Sequence, residues 1–260
     1  MPGSDREQRG RRLWSDESER HRLIREHAGL VERTVGRIAV ALPDSVDREN
    51  LMGSAILGLI RAVDAFEPER GIAFEQFAGA AVRRAVLEEL RSLDWAPPSS
   101  REKCGRIQSA LGHLEAALCR PPDDEEVAAR LELSVEQYHA ALLEVAGVAL
   151  MSMSALLSAG ERVEEEPPVP FGPEHAAAPE TPQRPHKLKQ ALAAAIGELP
   201  RTEQLVIALF YHEELTFDEM ADLLGMPASR VCEMHTQALL RLRSKLPREL
   251  GDAEPPETAL

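Results

Sequence analysis

The sequence has few aromatic residues and no strand-like runs in which β-branched and aromatic side chains alternate. Aromatic residues make up 4% of the 260 residues, and Ala, Leu, Glu and Arg are abundant instead. This mixture favours helices, whereas a sheet needs the alternating pattern that is missing here. The composition therefore predicts an all-α protein.

Cysteine and histidine are too scattered to suggest a site. The three cysteines form no CxxC pair, and the eight histidines form no HExxH motif. A nucleophile elbow, a P-loop and a dinucleotide-binding loop are missing as well. We therefore expect no metal site, no cofactor, no catalytic residues and no enzymatic activity.

The sequence shows no signal peptide, and we identify no apolar run of membrane-spanning length. A chain without such segments is expected to stay in the cytoplasm, with no membrane partner. Thiols in that compartment are kept reduced, so we expect free cysteines.

Positive charge is scarce overall but clustered. The chain has 44 acidic and 30 basic residues, for a net charge of −14, with acidic runs at 123–126 and 164–166. Basic residues gather at Arg83 and Arg84 and between Arg230 and Arg248. Tight, unaided DNA binding requires more phosphate contacts than this. The distribution fits a factor that a larger partner brings to DNA.

The most specific pattern lies between Asn50 and Trp95 and predicts two helices. Apolar residues recur there at helical spacing, and the pattern is interrupted by Pro68 and Gly71, which disfavour a helix interior. The residues expected on the core-facing side are Met52, Ile56, Leu59, Ile60, Val63 and Phe66 in the first helix, and Phe74, Ala78, Val82, Val86 and Leu90 in the second.

Within this stretch, NLMGSAILGLIRAVDAF and ELRSLDW resemble the second conserved region of sigma-70 family sigma factors, most closely the flagellar and sporulation branch. In that family the first helix binds a coiled coil of RNA polymerase core, and the second reads and opens the promoter −10 element. The resemblance implies core-binding residues Asn50, Leu51, Leu57, Arg61 and Asp64, and −10 contacts from Phe74, Gln76, Phe77, Arg83 and Arg84.

The C-terminal part predicts a helix-turn-helix. Thr216 and Glu219 form a capping box at the start of the first helix, and Gly225 is placed to end that helix in the left-handed conformation. A longer basic helix follows from Ser229. LTFDEMADLLGMPASRVCEMHTQALLRLRSKL resembles the fourth region of sigma-70 factors, which reads the −35 element. The residues expected to contact that element are Ser229, Arg230, Glu233 and Gln237.

Between these regions we expect a helical unit and a linker. A helix from Arg101 to Leu118 has basic residues that either contact DNA upstream of −10 or form a solvated face. Ser134 and Gln137 form another capping box in a structural helix pair. From about Ala159 the chain becomes acidic and proline-rich, which is typical of an extended tether; in the family this linker passes near the polymerase active centre.

These patterns predict three small helical domains joined by linkers. The expected limits are a disordered lead-in at 1–15, the core-binding and −10 domain (region 2) at 16–96, the middle domain (region 3) at 97–158, the linker at 159–185, the helix-turn-helix domain (region 4) at 186–248 and a tail at 249–260.

The resemblance implies an alternative sigma factor that binds RNA polymerase core, recognises promoter DNA and is held by an anti-sigma factor. One departure concerns Ala80 and Ala81, which stand where primary sigma factors carry two aromatic residues that wedge the duplex open. A second hypothesis is therefore a sigma-like interaction protein that occupies core polymerase or titrates a regulator without productive promoter recognition. A helix-turn-helix regulator of another kind leaves the Asn50–Trp95 pattern unexplained.

Overall fold

The computed structural model describes residues 17–43, 45–67, 71–93, 95–161 and 183–249. Within these ranges every regular element is an α-helix, which confirms the predicted fold class. The lead-in, the linker between 162 and 182 and the tail from 250 lie outside the described residues. The helices are α1 Glu17–Glu26, α2 Ala28–Ala39, α3 Arg48–Ala65, α4 Phe74–Ser92, α5 Pro98–Leu118, α6 Asp124–Arg130, α7 Val135–Glu161, α8 Gln183–Gly197, α9 Arg201–Tyr211, α10 Phe217–Leu224 and α11 Ala228–Glu249.

The chain divides into two compact units, the first ending at Trp95 and the second beginning at Ala96. In the first unit, α3 and α4 pack side by side and α2 packs on both. The predicted core face of α4 is confirmed for Ala78, Val82, Val86 and Leu90, which are at most 1% exposed. Burial of such apolar side chains contributes about 1.5–3 kcal/mol each for the larger ones.

The predicted core face of α3 is confirmed for Leu59 and Val63, which are at most 1% exposed, but it is wrong for Ile56. Ile56 was expected inside but is 43% exposed, whereas the helix buries smaller residues such as Ala55 and Gly58. A Cβ added to Gly58 would lie 2.8 Å from Ala85 Cβ and 3.1 Å from the Ala81 carbonyl oxygen. The two helices therefore approach each other over small residues, and the side chains of Ile56 and Leu57 are turned outward.

The second unit is organised around α11. This helix packs on α5 and α7 from the predicted middle domain and on α8, α9 and α10 from the predicted C-terminal domain. The helices that were expected on either side of the linker therefore share one compact unit. All twelve positions from 231 to 242 are buried, which is unusual for a helix that carries several charged and polar residues.

The two predicted capping boxes form, before α10 and before α7, and a third that was not predicted forms before α6. Thr216 and Glu219 cap α10, and Asp123 and Glu126 cap α6. Before α7, Gln137 N donates to Ser134 Oγ at 3.2 Å and Ser134 N donates to Gln137 Oε1 at 2.9 Å. These bonds satisfy backbone N–H groups that lack a partner inside the helix.

α7 is longer and more apolar than the sequence analysis predicted. It runs to Glu161, past the expected domain limit, and by length and composition alone its segment Val135–Leu157 is sufficient to cross a membrane. The core helix of a soluble protein passes the same test, and this helix packs on α5, α8 and α11. Its apolar character is therefore explained by contacts inside the unit.

Candidate nucleic-acid interface

The helix-turn-helix is formed by α10, a short turn and α11. Gly225 ends α10 in the left-handed region, with φ 66°, which glycine adopts without strain. Pro227 follows, and α11 begins at Ala228. Backbone N–H groups of Arg230 and Val231 donate to the Pro227 carbonyl, at 3.0 and 3.2 Å. The turn therefore sets the start of α11 as the resemblance implied.

The four residues expected to contact −35 DNA differ in accessibility. Ser229 is exposed and the Arg230 side chain is 36% exposed. Glu233 and Gln237, in contrast, are buried, at 7% and 3% exposed. The expected −35 contacts of Glu233 and Gln237 are therefore not accessible to DNA in this conformation, because α6 and the start of α7 cover this side of α11.

Asp124, at the start of α6, is the centre of the contacts that cover α11. Arg230 Nη2 donates to Asp124 Oδ2 at 3.0 Å, and Gln237 Nε2 donates to Asp124 Oδ1 at 3.0 Å. His139 Nε2 lies 2.8 Å from Asp124 Oδ2 and 3.1 Å from Arg230 Nη1. Burial acts to raise the pKa of the Asp124 carboxyl, but hydrogen bonds from Gln237, His139 and Arg230 outweigh it and lower the pKa.

The C-terminal half of α11 is held by a buried ion pair. Arg241 Nε donates to Glu203 Oε1 at 3.1 Å, and Arg241 Nη2 donates to the Pro122 carbonyl at 2.7 Å. Both charged side chains are at most 6% exposed. Burial raises the pKa of Glu203 to about 7, against the opposing effect of Arg241. Arg241 thus connects α9 to the chain that leads into α6.

Lys245 and Arg243 of α11 are also engaged inside the unit. Lys245 Nζ lies 3.1 Å from Glu115 Oε1 and 2.6 Å from Glu198 Oε2. Arg243 Nε donates to Ser152 Oγ at 3.2 Å. The described basic side chains that gather from Arg230 onward in the sequence therefore contact carboxylate, hydroxyl and carbonyl oxygens in this conformation.

The expected −10 residues lie on α4 of the first unit. Phe74 packs edge-to-face on Phe66 and His27, with ring centroids 5.0 and 4.6 Å apart, and Phe77 lies 5.7 Å from Phe66. Both phenylalanines are half-buried, so one side of each ring packs internally. Gln76 and Arg84 are exposed, Arg83 is half-buried, and Arg84 pairs with Glu88 at 3.3 Å.

The expected core-binding residues on α3 do not share one surface. Leu51 is fully buried, so it packs inside the unit instead of facing a partner, whereas Leu57 is 54% exposed. Asn50, Arg61 and Asp64 are exposed. The sequence interpretation missed Ile56 as a surface residue, and the signal that identifies it is the run of small residues on the opposite side of α3.

Within the ranges that the structure describes, no three His, Cys, Asp or Glu side chains gather closely enough to hold a metal ion. The site is instead a helix face with guanidinium and amide groups, which are the groups that proteins use to read base edges and phosphates. The fold and this site define a helical, helix-turn-helix DNA-binding protein.

Family models match along most of the chain: Sigma-70 region 2 at residues 23–96, Sigma-70 region 3 at 102–165 and Sigma-70 region 4 at 195–244. The chain is 37% identical to the RNA polymerase sigma factor FliA of Pseudomonas aeruginosa, over 88% of this chain and 92% of that protein. It is 34% identical to the RNA polymerase sigma-D factor of Bacillus subtilis, over 90% of this chain and 91% of that protein.

A solved structure of the flagellar sigma/anti-sigma complex, Sigma-28/FlgM, matches with a TM-score of 0.54 and 30% identity, over 93% of this chain and 98% of that chain. The chain belongs to the sigma-70 family of RNA polymerase sigma factors. Its function is that of a sigma factor, which binds RNA polymerase core and directs promoter-specific initiation of transcription. Such factors are in general initiation factors and not catalysts.

Proposed function

We propose that the two units divide promoter recognition between them, in a protein of the cytoplasm that has no catalytic activity of its own. The first unit binds core polymerase through the exposed side of α3 and contacts the −10 element through α4. In the second unit, α11 reads the −35 element. The domain limits expected from the sequence, 16–96, 97–158 and 186–248, are proposed with two changes: the middle domain extends to the end of α7 at 161, and the C-terminal domain begins with α8 at 183.

One observation supports the core-binding surface above all others. Ile56 and Leu57 are adjacent on α3, are 43% and 54% exposed, and lie on the side of the helix away from its buried face. Neighbouring large apolar side chains on a surface are typical of a protein contact. Arg61 and Asp64 continue the exposed side of the same helix and add charge.

The proposed −10 contacts combine exposed polar groups with aromatic surface. Gln76 and Arg84 project from α4, and the half-buried rings of Phe74 and Phe77 each keep part of their surface open. Stacking on an aromatic ring and ionic contact with phosphates are both used to hold single-stranded DNA. An exposed arginine on this helix therefore serves to hold the strand, and the phenylalanines serve to replace lost base stacking.

An anti-sigma factor is the proposed regulator. The Sigma-28/FlgM structures are of a flagellar sigma factor with its anti-sigma partner, and this chain matches nearly the whole length of that sigma chain. In this conformation, which we call the occupied state of α11, Arg230 and Gln237 are bound to Asp124. The occupied state is compatible with control by an anti-sigma factor, since a partner that stabilises it keeps the −35 residues away from DNA.

Run-off transcription with purified core polymerase tests the proposal. Promoters retained by the holoenzyme are sequenced and used as templates, and Arg230→Ala is compared with Arg201→Ala, which changes an exposed arginine of α9. We expect Arg230→Ala to lose about 1–3 kcal/mol of discrimination at one base position of the −35 element. Equal weakening on every sequence would show that Arg230 contacts phosphate. Core binding without specific initiation would support the alternative, an interaction protein that titrates core polymerase or a regulator.

A further inference from the structure

The carboxylate of Asp124 accepts hydrogen bonds from two of the side chains that are proposed to recognise the −35 element. Asp124 accepts a hydrogen bond from Arg230 on one oxygen and from Gln237 on the other, each at 3.0 Å. Arg230 and Gln237 are seven positions apart, so they lie on the same face of α11, two turns from each other. We propose that Asp124 is an intramolecular competitor of promoter DNA, which inhibits −35 recognition in the free chain. The inference rests on the proposed role of α11.

The competition follows from the chemistry of the donors. A guanidinium recognises a phosphate, or the O6 and N7 acceptors of guanine, with the same N–H groups that it offers to a carboxylate. The amide of Gln237 likewise has a limited set of donors, one of which Asp124 takes. Since α6 and the start of α7 also cover this face of α11, the side chains bind either Asp124 or DNA.

The contact between Asp124 and α11 has the properties of an interface that can separate and form again. Its centre consists of charged and polar groups, and the Arg230 and His139 side chains remain 36% and 27% exposed. Glu233, on the same helix, accepts from Arg230 Nη1 at 2.9 Å and can orient the guanidinium in either state. DNA would replace the oxygen atoms that Asp124 withdraws, so Arg230 and Gln237 keep hydrogen-bond acceptors after opening.

Asp124 is not required for its own helix to form. Asp123, not Asp124, is the N-cap of α6 and completes the capping box with Glu126. Glu125, the next residue, is exposed and belongs to the same first turn. Asp124→Asn therefore removes the competing charge at little cost to the helix, and Glu125→Gln removes the same charge from a neighbouring position as a matched control.

The first measurement is made on the free full-length chain without DNA. Hydrogen exchange of the α11 amides between residues 228 and 238 is compared in the wild type, Asp124→Asn and Glu125→Gln. We expect faster exchange in Asp124→Asn alone, because the closed state loses its charged contact. Circular dichroism and thermal unfolding establish that all three chains are folded.

The second measurement is fluorescence anisotropy with a labelled −35 duplex taken from promoters that the holoenzyme retains, and with a scrambled duplex. An apparent Kd rises when the binding-competent state is a minor fraction of the chain. We expect Asp124→Asn to lower the Kd for the −35 duplex by about tenfold, which corresponds to about 1.4 kcal/mol. Glu125→Gln should change it by less than about twofold, the effect of net charge alone.

The outcomes separate the inference from the proposed function. Faster exchange in Asp124→Asn with tighter binding of the −35 duplex supports the inference. Unchanged exchange, or faster exchange with no gain in DNA affinity over Glu125→Gln, overturns it. In run-off transcription, Asp124→Asn holoenzyme should initiate like the wild type, because Asp124 acts only before opening. If wild-type holoenzyme does not initiate at all, the proposed function fails, and the exchange data still decide whether Asp124 closes α11.

Discussion

Arg20 of α1 holds the carboxylate of Asp64 of α3 with two hydrogen bonds, from Nε to Oδ1 at 2.6 Å and from Nη2 to Oδ2 at 2.9 Å. Both side chains are partly exposed, so the pair contributes less than about 1 kcal/mol to stability. Its larger effect is to fix the direction in which the Asp64 carboxylate faces. Asp64 is one of the residues proposed to bind core polymerase, and the pair therefore bears on that contact.

We predict that Asp64→Arg weakens binding to core polymerase, because a negative group on α3 is placed to meet a basic partner surface. Arg20→Gln is the matched control, since it breaks the same pair and leaves the Asp64 charge in place. Affinity is measured by titrating labelled protein with core enzyme. Equal losses in both variants would indicate that Arg20 and the docking of α1 matter more than the Asp64 charge, and no loss in Asp64→Arg would remove α3 from the contact.

The close approach of α3 and α4 predicts opposite effects at two glycines of one helix. Gly58→Ala places a methyl group 2.8 Å from Ala85 Cβ, and overpacking of this kind costs about 1–3 kcal/mol. Gly53 is exposed, with nothing within 4 Å of an added Cβ, so Gly53→Ala should stabilise the protein by about 0.5–1 kcal/mol through helix propensity. Urea denaturation measures both, and a stabilising Gly58→Ala would contradict the packing described.

Promoter opening should be weak in this protein. Ala80 is exposed on α4 and offers no ring to replace base stacking, and Ala81 is half-buried at the crossing with Gly58. Because unstacking a base costs about a few kcal/mol, a template with a pre-melted bubble at −10 should be transcribed far better than the matched duplex. Ala80→Trp, alone or with Ala81→Trp, should relax the requirement for a close −10 match. Equal transcription from bubble and duplex templates would show that melting is not limiting.

The buried carboxyl of Glu203 predicts a pH dependence of stability. Burial raises the pKa of Glu203 from 4.5 to about 7, so the folded protein binds this proton more tightly than the unfolded chain does. The stability that this group contributes is therefore present at low pH and decreases as the pH rises towards 7. Between pH about 5 and about 7.5, the free energy of unfolding of the wild type should fall relative to Glu203→Gln by on the order of 1 kcal/mol.

Urea denaturation at both pH values provides this difference, and Glu102→Gln, at an exposed position of α5, is the control for removal of one carboxyl. A difference between the wild type and Glu203→Gln that does not change with pH would mean that Glu203 stays ionised beside Arg241 throughout. The same experiment thus reports whether the ion pair under α11 carries its full charge at neutral pH.

Local chemistry accounts for what sequence patterns predicted correctly. The capping box of Thr216 and Glu219 and the left-handed stop at Gly225 involve residues only a few positions apart, so the interactions that start and end α10 are present in the sequence itself. The same holds for the periodic core face of α4, where Ala78, Val82 and Val86 are all buried. The all-α class and the helix-turn-helix follow from such short-range terms.

The face of α3 that is buried depended on its neighbour. Periodicity favoured the larger residue Ile56, but the close crossing with α4 selected the side with Ala55 and Gly58. An amphipathic pattern ranks side chains by hydrophobicity, whereas the distance between two helices is set by the size of the side chains where they cross.

The occupied state of α11 is a property of the tertiary structure alone. The contact between Asp124 and Arg230 joins residues 106 positions apart, and Arg241 reaches the Pro122 carbonyl across 119 positions. In the sequence these residues indicate an acidic helix start and a basic recognition helix, with no sign that the two are in contact. Only the packing of α6 and α7 onto α11 brings the two charges together, because ion pairs over such separations depend on which surfaces the chain brings into contact and not on local pattern.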